Sequence, residues 1–355
     1  MPYSPEMIIL ARESRGMTQK ELAEASGVSQ ANISKYESGL VPPPDNIMSA
    51  IARTLRYPAS FFQLDAPLYG LGSSIMYHRR RQATSLKDIR RLEALANVHR
   101  IRIAPLLQGA SIESPNGQAT IPSLPISDYG DNVQLVAMEV RQALALPLGP
   151  VKNLVRTLET AGAVVMLTPF GTSTFDGISQ APPGKPPVFF LNSESPTDRR
   201  RFTLAHELGH VVMHRQLAPD AAENQADEFA SEFLMPSQMI GPELSSLTMD
   251  KLLMLKAQWK VSMMALVRKA RDLRTITERQ YREWNIRLSA AGYRRHGEPY
   301  PPPAEEPILV KRLLEVHQRY HGYTLDELEE LMYASRDELI ETYGLVPAPS
   351  IRALG

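Results

Sequence analysis

The chain has 355 residues, 43% of them hydrophobic and 22% charged, with 39 basic side chains against 39 acidic ones. That length leaves room for two or three domains with separate cores, and no apolar run approaches the roughly 18 residues that a membrane span needs. The lack of cysteine excludes disulfides and thiolate metal ligands, so a metal here has to be held by imidazole and carboxylate.

The start of the chain shows no signal-peptide pattern, and the expected location is the bacterial cytoplasm, with no membrane partner. The even charge total conceals an asymmetry. Residues 1–70 hold six basic and seven acidic residues, whereas residues 71–110 hold eight and two, among them Arg79–Arg81, Arg90 and Arg91. Prolines at 42–44, 182–183, 186–187 and 301–303 mark breaks. The resulting division is a front domain 1–68, a basic helical linker and Pro-rich loop 69–127, a core 128–240, its helical extension 241–298, and a small helical C-terminal region 304–355.

Residues 5–64 read as five short helices. The first runs from Met7 to Arg15 with Ile8, Ile9 and Ala11 inward. Thr18-Gln-Lys-Glu21 is a capping box opening the second helix, which continues through Ala25. Ser26-Gly-Val-Ser29 is a tight turn in which Gly27 suits a positive φ. Ser29 then caps a third helix that ends at Glu37 before Gly39.

Through Met17-Thr-Gln-Lys-Glu-Leu-Ala23, Val28-Ser29, Ile33-Ser-Lys-Tyr-Glu-Ser-Gly39 and Pro58-Ala-Ser-Phe-Phe62, this stretch resembles the lambda-repressor-like (XRE) helix-turn-helix domain, an all-α fold. The resemblance implies that the third helix enters the major groove of operator DNA. Ser29 and Gln30 open that helix; Gln30 and Asn32 suit adenine, Lys35 suits phosphate or guanine, and Gln19 suits the phosphate backbone. A near-neutral domain is a weak partner for DNA, so a protein-docking role is the alternative unless the basic helix behind it supplies charge. Arg79–Arg81 read equally as a solvated face.

Leu86, Ile89, Leu92, Leu95 and Val98 fall at helical spacing in a linking helix over 84–108, a stripe for core packing or for pairing in a homodimer. Residues 111–127 are loop. Helices over 131–146 and 150–161, then strands 163–167 and 187–192, predict an α+β layer arrangement.

A helix opened by Thr197 as N-cap carries His206-Glu-Leu-Gly-His210. His206 and His210 lie one turn apart on one face and can share an ion, with Glu207 beside them to handle a proton. Phe202, Leu204, Ala205, Leu208 and Val212 bury that helix, and a buried imidazole pair is costly unless compensated. The alternative is two histidines satisfied by core hydrogen bonds. Glu223 on the next helix fits a third ligand, leaving an open position for water, and Asp227 one turn on can orient a ligand histidine. Asp227 and Glu228 are rival ligands. His214 continues the histidine row two turns from His206, too far to share the ion, so it is a supporting or packing residue.

Thr203-Leu-Ala-His-Glu-Leu-Gly-His-Val-Val-Met-His214 and Glu223-Asn-Gln-Ala-Asp-Glu-Phe-Ala-Ser-Glu-Phe-Leu-Met-Pro236 resemble the ImmA/IrrE family of zinc metallopeptidases. The resemblance extends over about 130–290, with Phe175-Asp-Gly-Ile-Ser179 and Trp259-Lys-Val-Ser262. It implies a zincin-like fold, Zn2+ on His206, His210 and Glu223, Glu207 as catalytic base, and a repressor or antitoxin-like protein as substrate. The expectation is therefore a multidomain regulator: a helix-turn-helix, an α+β metallopeptidase domain, then a helical C-terminal region. The alternative is a transcription factor whose peptidase-like domain senses a ligand or metal without cleaving. Residues 247–273 repeat a helix-turn-helix-like pattern read as packing. Thr324-x-x-Glu327 and Ser335-x-x-Glu338 open two short C-terminal helices that carry no legible chemistry.

Overall fold

Side-chain caps and turn residues set most of the helix boundaries. The computed structural model describes residues 3–71, 85–110, 120–172, 174–214, 221–293 and 297–346. Arg79–Arg81 and positions 111–119 of the loop lie outside the described residues. The described residues form two units: 3–70, 85–110 and 308–346 in the first, and 120–307 in the second. Among them no helix is long and apolar enough to cross a membrane.

In the first unit, α1 (Pro5–Ser14), α2 (Gln19–Ser26), α3 (Gln30–Glu37) and α4 (Asp45–Leu55) are followed by a 3-10 turn (Ala59–Gln63). The fifth element is thus a 3-10 turn and not an α-helix. Thr18 and Glu21 close their reciprocal capping box, and Gly27 sits at φ 70 between α2 and α3. The apolar spacing of α1 buries Met7, Ile8, Leu10 and Ala11, while Ile9, expected inward, is only half-buried. The long helix α5 (Leu86–Gln108) packs on α1 and adds Ala94 and Val98 to the same core as Ile8, Leu22, Ile33 and Phe61.

The C-terminal helices belong to this unit. Ahead of the two expected helices, α14 (Leu325–Met332) and α15 (Arg336–Glu341), runs a further one, α13 (Leu309–Arg319). Both α13 and α14 pack on α5. Glu338, from the capping box of α15, reaches Arg15 at 3.0 Å and the buried Arg102 at 2.8 Å. The two guanidiniums lie over the Tyr57 ring, and Tyr343 meets buried His99 at 2.7 Å.

The second unit begins with α6 (Val133–Ala143), capped by Asn132, and α7 (Leu154–Thr160), capped by Asn153; both are shorter than the expected helices over 131–146 and 150–161. Strands β1 (Val164–Thr168), β2 (Gly177–Gln180) and β3 (Val188–Asn192) make one sheet in the order β1-β3-β2, parallel then antiparallel. Across the sheet lies α8 (Thr197–Met213), followed by α9 (Ala222–Leu234), a short helical turn (Ser237–Ile240), α10 (Met249–Trp259), α11 (Met263–Asp272) and α12 (Glu278–Ala290).

Pro196, not Thr197, precedes the first turn of α8; the Thr197 hydroxyl donates instead to the Pro302 carbonyl at 2.8 Å. Helices α10 and α11 are packing elements, as Trp259, Leu266 and Val267 lie in the core. Buried Lys256 there donates to Asp198 at 2.5 Å and to Glu298 at 2.9 Å.

Two glycines set how closely α8 can be approached. A Cβ on Gly177 would fall 2.5 Å from Thr203 Cγ2, and one on Gly209 would fall 3.0 Å from Phe229 Cδ1. Their bare backbones let β2 and α9 press against the two sides of the helix that carries the histidines.

Candidate metal centre

Helix α8 presents His206 and His210 from successive turns, and α9 brings Glu223 against them. The Nε2 atoms of the two histidines are 3.1 Å apart. Glu223 Oε1 is 3.1 Å from His210 Nε2, and Oε2 is 3.5 Å from His206 Nε2. One ligand atom from each of the three lies within 4.8 Å of the others. Glu207, from the same turn of α8, is buried and accepts a 2.6 Å hydrogen bond at Oε2 from the Ser179 hydroxyl on β2.

The proton positions on both imidazoles follow from their partners. His206 Nδ1 lies 3.0 Å from Asp227 Oδ1, and Arg268 donates to the other oxygen of that carboxylate at 3.0 Å. A carboxylate only accepts, so Nδ1 carries a proton, and the neutral form of the ring offers its lone pair at Nε2. On the His210 side the chain is longer. Gln225 Nε2 donates to Asp131 Oδ1 at 3.2 Å, which turns its Oε1 toward His214 Nε2 at 3.0 Å. His214 is thereby protonated at Nε2 and accepts at Nδ1, where His210 Nδ1 donates across 3.1 Å. His210 Nε2 is then also a lone pair.

Two imidazole lone pairs and a carboxylate thus converge on one point. Glu223 Oε1 is buried there with no hydrogen-bond partner, an arrangement that costs free energy unless a cation sits among the three. Charge reinforces this. Burial presses the His206 pKa down, yet the carboxylates of Asp227 and Glu223, with Glu207 behind, reverse it and hold it up at about 10. The site thus attracts a cation, and a proton competes with a metal ion for His206 Nε2 at pH 7. Burial would raise the Glu223 pKa, but the two imidazoles outweigh it and bring it down to about 2. Burial and the neighbouring His210 push His214 down to about 4, so its ring is neutral at pH 7. The donor set of two nitrogens and one oxygen suits zinc and leaves room for a further ligand.

His206, His210, Glu223, Glu207, Asp227 and His214 are therefore brought together. Glu228 is not: it points elsewhere and pairs with Gln134 at 2.5 Å. Ser179, Gln225, Asp131 and Arg268 complete the surroundings and were not singled out as individual site residues from the sequence. Ser179 and Gln225 carried a signal, as members of the quoted motifs Phe175-Asp-Gly-Ile-Ser179 and Glu223-Asn-Gln-Ala-Asp227.

In the first unit Ser29, Gln30, Asn32 and Lys35 lie exposed along α3. The Ser29 hydroxyl accepts from Asn32 N at 3.3 Å, so it serves as the N-cap. Gln19 is drawn inward, donating to Glu37 Oε2 at 2.9 Å.

Residues 8–62 match the helix-turn-helix family model and carry an XRE-type helix-turn-helix. The class of the second unit follows from the same kind of comparison: residues 158–271 match the model of the IrrE N-terminal-like domain, a metallopeptidase-type domain. The chain is also similar to repressor protein C of Escherichia phage P2, 36% identical over 52 residues. That likeness falls in the helix-turn-helix region and covers 15% of this chain and 52% of the phage protein, about half of that relative's length.

Proposed function

We propose that this protein is a cytoplasmic, DNA-binding transcriptional regulator whose second unit is a zinc-dependent endopeptidase that cleaves a repressor or antitoxin-like partner. The observation that carries the reading is the convergence of His206, His210 and Glu223 on one point, with Glu207 beside it. When bound there, zinc supplies Lewis acidity to a hydrolytic water and to the peptide carbonyl.

The chain's own groups have separate tasks. Asp227 and His214 fix the tautomers that leave both Nε2 atoms as donors to the ion. Ser179 occupies Glu207 Oε2, which leaves Oε1 to take a proton from the water and return it to the leaving amine. Burial of Glu207, 2% exposed, keeps bulk water from competing for that proton. In the first unit, the exposed side chains of α3 support insertion into the major groove of an operator, with Gln30 and Asn32 facing bases.

The test is metal analysis of the full chain, followed by incubation with a repressor encoded beside it, wild type against Glu207→Gln. Zinc at one per chain and cleavage by the wild type alone support the reading. Equal cleavage by both proteins removes Glu207 as the base. Zinc-dependent DNA affinity without any cleavage establishes a non-cleaving sensor instead.

A further inference from the structure

Helix α5 is fixed to the helix-turn-helix. Ala94 and Val98 sit in its core, and Gly16, at φ +67, lies so close that a Cβ there would be 3.1 Å from Arg91 Cδ. The Asn97 side chain accepts from Tyr69 N at 2.8 Å and donates to Tyr69 O at 2.9 Å. Charges on the first turns of α5 are therefore held in a set position relative to α2 and α3.

That position faces the ends of the helices that would meet DNA. A cleft of about 530 Å³ is lined by Thr18, Gln19 and Lys20 at the start of α2, by Gln30 at the start of α3, and by Lys87 and Arg90 of α5. Arg12 also lines it but is committed, with 2.5 and 3.0 Å bonds to Glu37 and one of 2.8 Å to the Met17 carbonyl. Glu13, the one anion of the lining, lies 3.5 Å from that guanidinium. Lys20, Lys87 and Arg90 are exposed. Lys87 and Arg90 are i, i+3 neighbours on one helix face, about 5–6 Å apart, a spacing that lets both reach one phosphate strand. Residues 85–110 carry five basic and two acidic side chains, against six and seven in residues 1–70. With Glu13 held by Arg12, the neutral hydrogen-bonding groups and exposed cations around the cleft suit phosphate oxygens better than an apolar protein surface.

We infer that the amino-terminal half of α5 is part of the DNA interface, with Lys87 and Arg90 gripping backbone phosphates beside the groove that α3 enters. The inference rests on the DNA-binding reading above and adds a surface outside the helix-turn-helix. Glu21 Oε2, 3.6 Å from Lys87 Nζ, competes with the phosphate for that cation.

The test measures binding of the full chain to a short fluorescent duplex of arbitrary sequence by anisotropy, between about 50 and 200 mM salt. Each phosphate contact contributes about 0.9 to the slope of log affinity against log salt. Lys87→Gln with Arg90→Gln is expected to flatten that slope by about 1.8, so the affinity lost over this range shrinks about tenfold. Lys311→Gln with Arg312→Gln, exposed on α13 and outside the cleft, leaves the slope unchanged. Glu21→Gln, which keeps the capping box, raises affinity. An unchanged slope in the Lys87/Arg90 variant with binding intact overturns the inference alone. A wild-type chain that leaves the duplex unbound at the lowest salt overturns the DNA-binding reading with it.

Discussion

Replacing Gln225 by Leu tests whether the tautomer of a metal-ligating histidine is set from as far away as Asp131. Gln225 Oε1 is what holds the proton of His214 on Nε2. Without it, His214 is as well protonated at Nδ1, and two N–H groups then face each other across the 3.1 Å to His210. The conflict is relieved when His210 moves its proton to Nε2, which occupies the lone pair meant for the ion. A neutral hydrogen bond contributes about 0.5–1.5 kcal/mol. The His210–His214 pair keeps its bond in either direction, so only the Gln225 to His214 bond is lost. At 1.4 kcal/mol per decade that is a loss of roughly 2- to 12-fold in zinc affinity, reaching the low end of the 10- to 100-fold range typical of such outer partners. Competition against a chromogenic chelator at pH 7, where His214 is neutral, reads the effect, and a thermal melt of the metal-free protein checks the fold. Zinc affinity within twofold of wild type in a folded Gln225→Leu protein refutes the relay.

Three further outcomes follow from other contacts. Ser179→Ala removes a charge-assisted bond of about 1.5–3 kcal/mol from Glu207 and is expected to lower kcat of the proposed cleavage about 10- to 100-fold while zinc affinity stays unchanged, read by steady-state kinetics beside a chelator titration. His99 is pushed down to about 3 by burial, ahead of the nearby Arg102. The unfolded chain therefore takes up this proton first, near pH 6.5, so the stability is fully present above pH 6.5 and is lost as pH falls toward 3. The rate is about 1.4 kcal/mol per pH unit, and the urea midpoint of His99→Gln should be flatter with pH than that of wild type. Glu338→Gln leaves the Arg102 guanidinium, 3% exposed, without its carboxylate, at a cost of about 3–5 kcal/mol, which calorimetry on the full chain measures as a lower melting temperature for one transition.

How much of this was legible in the sequence depended on whether a contact repeats along a helix. His206, His210, Glu223 and Asp227 are spaced by single turns, so periodicity places each pair on one face, and the α5 stripe emerged for the same reason. The capping boxes at Thr18, Thr324 and Ser335 were readable because both partners lie within four residues. Gln225 was not, because i+2 from Glu223 lies on the far side of a helix. It reaches His214 only because α8 ends at Met213 and the His214 backbone leaves the helical conformation there. Ser179 and Arg268 meet their partners across 28 and 41 residues, and nothing local encodes such a meeting. Pro196 displaced Thr197 from the cap because the 302 carbonyl offered that hydroxyl a tertiary partner.

The same distances determine which part of the chain is a chemical unit. Residues 158–271 contain every proposed zinc ligand, the base and Ser179, yet three of their supports lie outside that span. Asp131 orients Gln225 from before it. Glu298 pairs with buried Lys256 and accepts from the backbone N–H groups of Met263 and Met264, so it fixes the start of α11, from which Arg268 reaches Asp227. Glu305 pairs with Arg201 on the histidine helix and accepts from the N–H groups of Leu154 and Val155 at the start of α7. An excised 158–271 fragment leaves Lys256 with one of its two carboxylates and Arg201 with none, each a buried cation whose loss of a partner costs about 3–5 kcal/mol. Against a typical domain stability of about 5–15 kcal/mol, two such losses are enough to unfold it. The fragment is therefore expected to be disordered by circular dichroism and to bind zinc no better than an unfolded peptide with the same histidines, whereas residues 120–307 should fold and bind it. A 158–271 fragment that folds and holds zinc as tightly as the full chain would show that the supports outside it are dispensable.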